Sequence, residues 1–309
     1  MKKLMHACAV SWINVLFAHG TISALEELPQ FLTEVRRGKP PSAELLAEMH
    51  ARYERIGHSP LLEHTRQQAR DLEQHSGRET RVAMRLWHPK LAEVVSDLTS
   101  LDKICLIPMA PFSVEVYRAA AEQQLAQLPA ARRPQLRAVA PWGAHPRLID
   151  AYVAGIVETI NESVAAEQRA QVPVILTAHS LPSAVIRGGD QYQQQFLATA
   201  ALVAARLPQP VTTCFQSQGA DGGEWLGPGL SEGLKDCATR GAGPVVVAPI
   251  GFFAEHVETL YDLDVEARAQ AQALGLRLLR VPTVHGDPGL LDALCDAAEQ
   301  AIHGFTASD

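Results

Sequence analysis

The segment EHVETLYDLDVE places carboxylates at Glu255, Glu258, Asp262 and Glu266, with no basic residue before Arg268. At about 100° per residue these four fall within an arc of roughly 80° on one helix face. Like charges four apart weaken a helix by about 0.2 to 0.5 kcal/mol each, so such a stripe carries a local cost. It is either a solvated face or a line of groups able to pass protons or a hydrated metal ion in steps. A second candidate is His179 in TAHSLP. A neutral imidazole just past an apolar run can bind a metal or accept a proton near neutral pH. Imidazole with carboxylate, and no thiolate, suits a borderline divalent ion such as Fe(II) or Zn(II), held loosely enough to be released.

Other chemistries lack their motifs. Ser180 adjoins His179, but no G-x-S-x-G elbow is present, and neighbouring side chains on an extended segment point apart. Neither a G-x-G-x-x-G turn after a strand nor a P-loop occurs, which leaves nucleotide cofactors without a cradle.

The elements that must position these groups alternate between short β-branched runs and longer amphipathic stretches, the pattern of an α/β fold with parallel sheets flanked by helices. Strands are predicted in INVLFA, RVAMRLW, KICLIPMA, LRAVAPW, VPVILTA, VTTCFQS, PVVVAPIGFF and LRLLRVPT. Helices are predicted in SAELLAEMHARYERI, LLEHTRQQARDLEQHS, SVEVYRAAAEQQLAQL, PRLIDAYVAGIVETINESVAA, DQYQQQFLATAALVAARL and PGLLDALCDAAEQAIHGF. An internal repeat pairs NVLFAHGT, containing His19, with VILTAHSL, containing His179, and CLIPMAPF with VVAPIGFF. Two similar lobes are expected, residues 1–150 and 151–309, with the last helix packing back on the first lobe. In open α/β sheets ligands bind outside the carboxyl ends of the strands. His19, His179 and the acidic stripe all follow strands, and all three are expected at one crevice.

Composition narrows the partners. With 47% hydrophobic and 20% charged residues among 309, the chain is an ordinary globular protein. A net charge of -7 gives no general attraction to nucleic acid or to an anionic membrane. Cys8, Cys105, Cys214, Cys237 and Cys295 are scattered, which fits reduced thiols and gives no spacing for an iron-sulfur cluster. The apolar run after the two N-terminal lysines is interrupted by His6, Ser11 and Asn14 and reads as a strand rather than a leader. No apolar segment reaches the roughly 20 residues of a bilayer span, and a cytoplasmic location is expected.

TAHSLP, GGDQY (Gly188 to Tyr192), QSQGADGGEWLGP (Gln216 to Pro228) and PIGFFAEHVETLYDLDVE, in this order and spacing, resemble the ferrochelatases. FAHGT, EVRRGKPPSAELLAEMHARYERIGHSPL and MRLWHP extend the resemblance toward the shorter enzymes that act on coproporphyrin III. The resemblance spans nearly the whole chain. It implies two Rossmann-like lobes with a porphyrin cleft between them and insertion of Fe(II) with loss of two pyrrole protons. Porphyrin and ferrous iron are the implied substrates, no further cofactor is required, and transient contact with other haem-pathway enzymes is expected.

Residue by residue, the resemblance puts the catalytic and metal-handling pair on His179 and Glu258. The acidic relay falls on Asp262 and Glu266, on a helix widened to π geometry, and porphyrin contacts fall on Arg36, Arg52, Tyr53 and Ser59. Which of His179 and the acidic line carries protons and which carries metal stays open. Glu255 is expected to be solvated charge only. The absence of bases from the stripe reads as a requirement, since a base would pair with the carboxylates. Where the coproporphyrin enzymes have Tyr in AYGTP facing the ring metal, this chain has His19, a stronger neutral iron ligand. The APFSVEVY loop and GHSP are shorter than in those relatives. A protoporphyrin ferrochelatase is the alternative within the class. A haem or porphyrin carrier without turnover is the alternative outside it, and cobalt or nickel chelation into another tetrapyrrole is disfavoured by the motifs after Gln216.

Overall fold

The computed structural model describes residues 12–219 and 223–303. The readings made on residues 1–11, including the leader question and Cys8, and on residues 220–222 of the QSQGADGGEWLGP motif lie outside the described residues.

Each segment predicted as a strand contains one, and they form two four-stranded sheets. β1 (Trp12–Ala18), β2 (Thr80–Met84), β3 (Lys103–Pro108) and β4 (Gln135–Ala138) are ordered β2-β1-β3-β4. β5 (Val174–His179), β6 (Val211–Gln216), β7 (Pro244–Ala248) and β8 (Arg277–Arg280) are ordered β6-β5-β7-β8. All neighbours are parallel. The shared order makes β1 the counterpart of β5 and β3 the counterpart of β7. Their ends match as well: Phe17 O accepts from Met109 N at 2.9 Å, and Thr177 O from Gly251 N at 3.1 Å. The repeat read from FAHGT and TAHSL thus has a structural counterpart. RVAMRLW and PVVVAPIGFF are strands only in part. β7 stops at Ala248, before Pro249, which has no N–H to give the ladder.

The first half of the chain holds α1 (Leu28–Val35), α2 (Ala43–Ile56), α3 (Leu61–Ser76), α4 (Leu91–Val94) and α5 (Val114–Ala126), of which the last three pack on the first sheet. α6 (Pro146–Ser163), α7 (Ser183–Arg187), α8 (Tyr192–Ala204), α9 (Leu230–Thr239), α10 (Val257–Leu260), α11 (Arg268–Ala273) and α12 (Pro288–His303) complete the set. α2 is fixed at its start by Ser42, whose side chain accepts from Leu45 N at 3.2 Å. α1, α4, α7, α9 and α11 lie in no segment predicted as a helix. Gly233 is required by contact rather than by a turn, because a Cβ there would sit 2.5 Å from Cys214 Sγ on β6.

One apolar core joins the two halves. Leu16 and Ile107 of the first sheet, Val174 and Val246 of the second, and Leu148, Ile156 and Leu294 of α6 and α12 belong to a single buried cluster. The 150/151 division falls inside α6. α12 packs on α6, on α3 and on β3, and Arg78 Nη1 donates to Glu299 Oε1 at 2.8 Å. Among the described residues no helix is long and apolar enough to cross a membrane.

Leu294→Ala removes a side chain that is 1% exposed at this junction. It is expected to cost about 2 to 5 kcal/mol and lower the midpoint of denaturant unfolding, while Leu197→Ala on the exposed side of α8 changes it little.

Candidate active site

The last residue of β5 is His179, and the residue just past β1 is His19, so the two imidazoles hold equivalent positions in the two sheets. The close approach of Gly251 fixes the strand under His179, since a Cβ there would lie 2.9 Å from Ala178 Cα. Tyr192 donates its hydroxyl to His179 O at 2.9 Å.

Glu258 stands in the first turn of α10 and reaches back to β5, with Oε1 3.5 Å from His179 Nε2. Its other oxygen is 3.4 Å from His256 Nε2. Gln216, at the end of β6, accepts from Thr177 Oγ1 at 2.6 Å and donates to Glu258 O at 2.9 Å, tying the helix start to the sheet. Burial opposes charge on His179, but the Glu258 carboxylate outweighs it and lifts the imidazole above its ordinary value. Burial likewise opposes charge on Glu258. The charges and hydrogen bonds of His179 and His256 nevertheless hold it well below the usual carboxylate range.

His19 has the reverse environment. Burial, followed by the charge of Arg85, lowers it from 6.5 to about 4, against a weaker pull upward from Glu258. At neutral pH His19 is a neutral imidazole within electrostatic reach of His179, His256 and Glu258.

The acidic stripe differs from the single helical face expected. Glu255 precedes α10, and residues Asp262–Ala267 are a π-helix, as the resemblance implies. Glu255 is not solvated charge. It is 8% exposed, accepts from Arg280 Nη1 at 2.6 Å, and takes Thr283 N at 3.0 Å and Thr283 Oγ1 at 3.1 Å. β8 pairs with β7, which brings Arg280 beside the loop that holds Glu255, and Arg280 also grips Asp264 at 2.9 Å.

The expectation that bases are excluded from the stripe is overturned too. Arg52 of α2 crosses from the first half of the chain to Asp262 Oδ1 at 2.9 Å and Glu266 Oε1 at 3.3 Å. Local sequence lacks the base because the fold supplies it from 210 residues away. Asp262 also accepts from Ser217 Oγ, whose backbone sits at φ 59. Burial, aided by the charges of Glu258 and Glu266, raises Asp262 to about 6 despite Ser217 and Arg52. That value lets it gain and lose a proton near neutrality.

Tyr53 neighbours Arg52 on α2, is buried, and has its hydroxyl 3.4 Å from Thr21 Oγ1. Burial pushes its phenol up to about 12. Ser59 is buried just after α2. Arg36 ends α1, ahead of Arg37 and Gly38 at φ 56 and 86, on the turn that leads to α2. Sequence reasoning missed Arg85, whose guanidinium lies 5.3 Å from the Tyr117 ring, and also His256, Gln216 and Ser217. All stand in quoted motifs: Arg85 follows β2, Gln216 and Ser217 lie at the end of β6, and His256 is the N-cap of α10. Among the described residues no group of three or more His, Cys, Asp or Glu side chains is arranged to hold a metal ion. The His179–Glu258 pair offers two donors, which suits an ion in transit more than a resident one.

The sequence profile described as Ferrochelatase matches residues 14–302. A ferrochelatase of Thermus thermophilus is 34% identical over 316 residues, spanning 93% of this chain and 98% of the relative. A coproporphyrin III ferrochelatase of Anoxybacillus flavithermus is 32% identical over 296 residues, spanning 91% of this chain and 93% of the relative. Among solved structures, SirB from Bacillus subtilis with Fe3+ is similar in fold. Its TM-score is 0.59 at 12% identity, covering 97% of this chain and 99% of that one.

The two equivalent imidazoles should titrate apart. Because His19 is lowered from 6.5 to about 4, the folded protein refuses a proton that the unfolded chain accepts in that window. Its contribution to stability therefore falls as pH drops from 6.5 to about 4. His179 is raised, so its contribution is full below 6.5 and is lost as pH rises through the folded value. NMR of the ring protons is expected to show His19 unchanged between pH 7 and about 5 and His179 titrating above 6.5, with Glu258→Gln shifting His179 downward.

Proposed function

The chain belongs to the ferrochelatase family, and from that premise we propose that it inserts Fe(II) into coproporphyrin III, with His179 and Glu258 at the reacting centre. The observation that carries this reading is the 3.5 Å contact between His179 Nε2 and Glu258 Oε1 at the carboxyl end of the second sheet. Insertion exchanges one Fe(II) for two pyrrole protons, so the site must take up protons while the ion sheds water. Glu258 keeps its charge and makes His179 the stronger base, which is what proton removal from a pyrrole N–H asks of an imidazole. Asp262, near pKa 6, can take a proton onward or pass hydrated metal inward, with Glu266 next in line.

The substrate's carboxylates need cations. We assign Arg36, Arg52, Tyr53 and Ser59 to the porphyrin wall on the family pattern, and His19 to the face of the ring metal. The preference for coproporphyrin III rests on the motifs of the first half and on the basic turn Arg36–Lys39 in a chain of net charge -7. Protoporphyrin remains the alternative substrate, since some relatives are named for coproporphyrin III and others simply as ferrochelatases. The neutral imidazole of His19 favours one further reading, a haem or porphyrin carrier. The His179–Glu258 pair speaks against it, because a carrier has no protons to remove. No cofactor beyond the substrate iron and a cytoplasmic location complete the proposal.

Anaerobic incubation of the pure protein with Fe(II) and each porphyrin, followed at the Soret band, tests the reading. Coproporphyrin III is expected to be metallated faster than protoporphyrin IX. His179→Ala and Glu258→Ala are each expected to lower kcat by about 10²- to 10⁴-fold. Metallation of protoporphyrin alone overturns the substrate assignment, and no metallation of either favours the carrier.

A further inference from the structure

Ser113 opens α5 in a conformation that serine seldom takes. Its φ and ψ of 55 and 41° lie in the left-handed region, where Cβ crowds the following carbonyl oxygen. Such a backbone persists where its surroundings over-determine it. Here the second lobe takes both donors of Ser113: Oγ donates to Asp190 Oδ1 at 2.6 Å, and the backbone N–H to Gln195 Oε1 at 3.1 Å. Asp190 is presented by the turn after α7, where Gly189 stands at φ 99. The same Asp190 oxygen accepts from Tyr192 N at 2.8 Å, which fixes the first residue of α8.

Tyr192 carries the connection to the reacting pair. Its ring meets buried Phe112 edge to face at 5.7 Å, and its hydroxyl reaches His179 O. Phe112 of the first-lobe loop therefore braces the ring, and Ser113, the next residue, holds the helix start that bears it. The loop follows β3 and His179 ends β5, so the clasp joins the carboxyl ends of the two sheets, where open α/β folds place their ligands. None of these bonds goes to Glu258, which Gln216 and His256 hold separately. A shift of Tyr192 thus moves one member of the pair and leaves the other.

We propose that Asp190 is a positioning residue for metal insertion: by binding Ser113 and Tyr192 at once, it lets the first lobe set where His179 stands relative to Glu258. This rests on the reading of His179 and Glu258 as the reacting pair. Their 3.5 Å contact is at the edge of hydrogen-bond reach, so a small movement at the end of β5 breaks it. Both donors to Asp190 are neutral. The carboxylate therefore supplies an acceptor at a fixed place, which an amide carbonyl can also supply.

Steady-state Fe(II) insertion is the test. Asp190→Ala is expected to lower kcat about 10- to 10²-fold, with KM for iron and for porphyrin within about twofold of wild type. Asp190→Asn is expected to restore most of kcat. Tyr192→Phe, which removes only the hydroxyl on His179 O, is expected to lose kcat in the same way, and to add little in an Asp190→Ala background. Ser113→Gly tolerates the left-handed backbone, loses the Oγ bond, and serves if Asp190→Ala does not fold. A loss that falls on KM, a loss that Asp190→Asn shares in full, or losses that multiply in the double variant overturn the proposal. If wild type metallates no porphyrin, the proposed reaction falls instead, and amide hydrogen exchange reads the clasp. Exchange at Ser113 and Tyr192 is then expected to be faster in Asp190→Ala than in Asp190→Asn, and equal exchange overturns the clasp.

Discussion

An imidazole at the end of β5 and a carboxylate at the start of α10 lie 3.5 Å apart in partly buried surroundings, and each alters the proton affinity of the other. Burial alone would discharge both groups. Their mutual attraction keeps Glu258 ionised and His179 basic, and much of the surrounding structure serves that contact. Gly251 fits the loop after β7 against Ala178, Gln216 ties β6 to Glu258 O, and His256 takes the second carboxylate oxygen. A pair whose members shift in opposite directions is a usual mark of acid–base work.

The duplicated sheet makes the contrast sharper. His19 stands where His179 stands, after the same strand of the same order, yet it has Arg85 for its near charge where His179 has Glu258. One position in a repeated frame thereby yields a neutral imidazole in the first lobe and a basic one in the second. The frame supplies placement, and the neighbours supply chemistry.

Much of the frame was legible because parallel strands buried on both faces read as apolar runs, and the long amphipathic helices carry a clear period. The shared Ala-His endings exposed the repeat. In α9 the interior Gly233 serves packing against Cys214 rather than a turn. The site was legible where residue type and strand end coincide, as at His179, whereas Glu258, in the first turn of α10, was reached through the family resemblance. The site was misread where the answer depends on distant chain: Glu255 is buried by Arg280 of the next strand, and the bases missing from EHVETLYDLDVE arrive from α2 and β8. A one-dimensional charge pattern has no term for a partner 210 residues away.

The central claim is that His179 and Glu258 act as one unit. A double-mutant cycle on kcat/KM for Fe(II) insertion, with His179→Ala, Glu258→Ala and the double variant, tests it most directly. The account predicts strong non-additivity, with the double variant little slower than either single one. Losses that simply multiply would mean that the two groups work independently, and would contradict it.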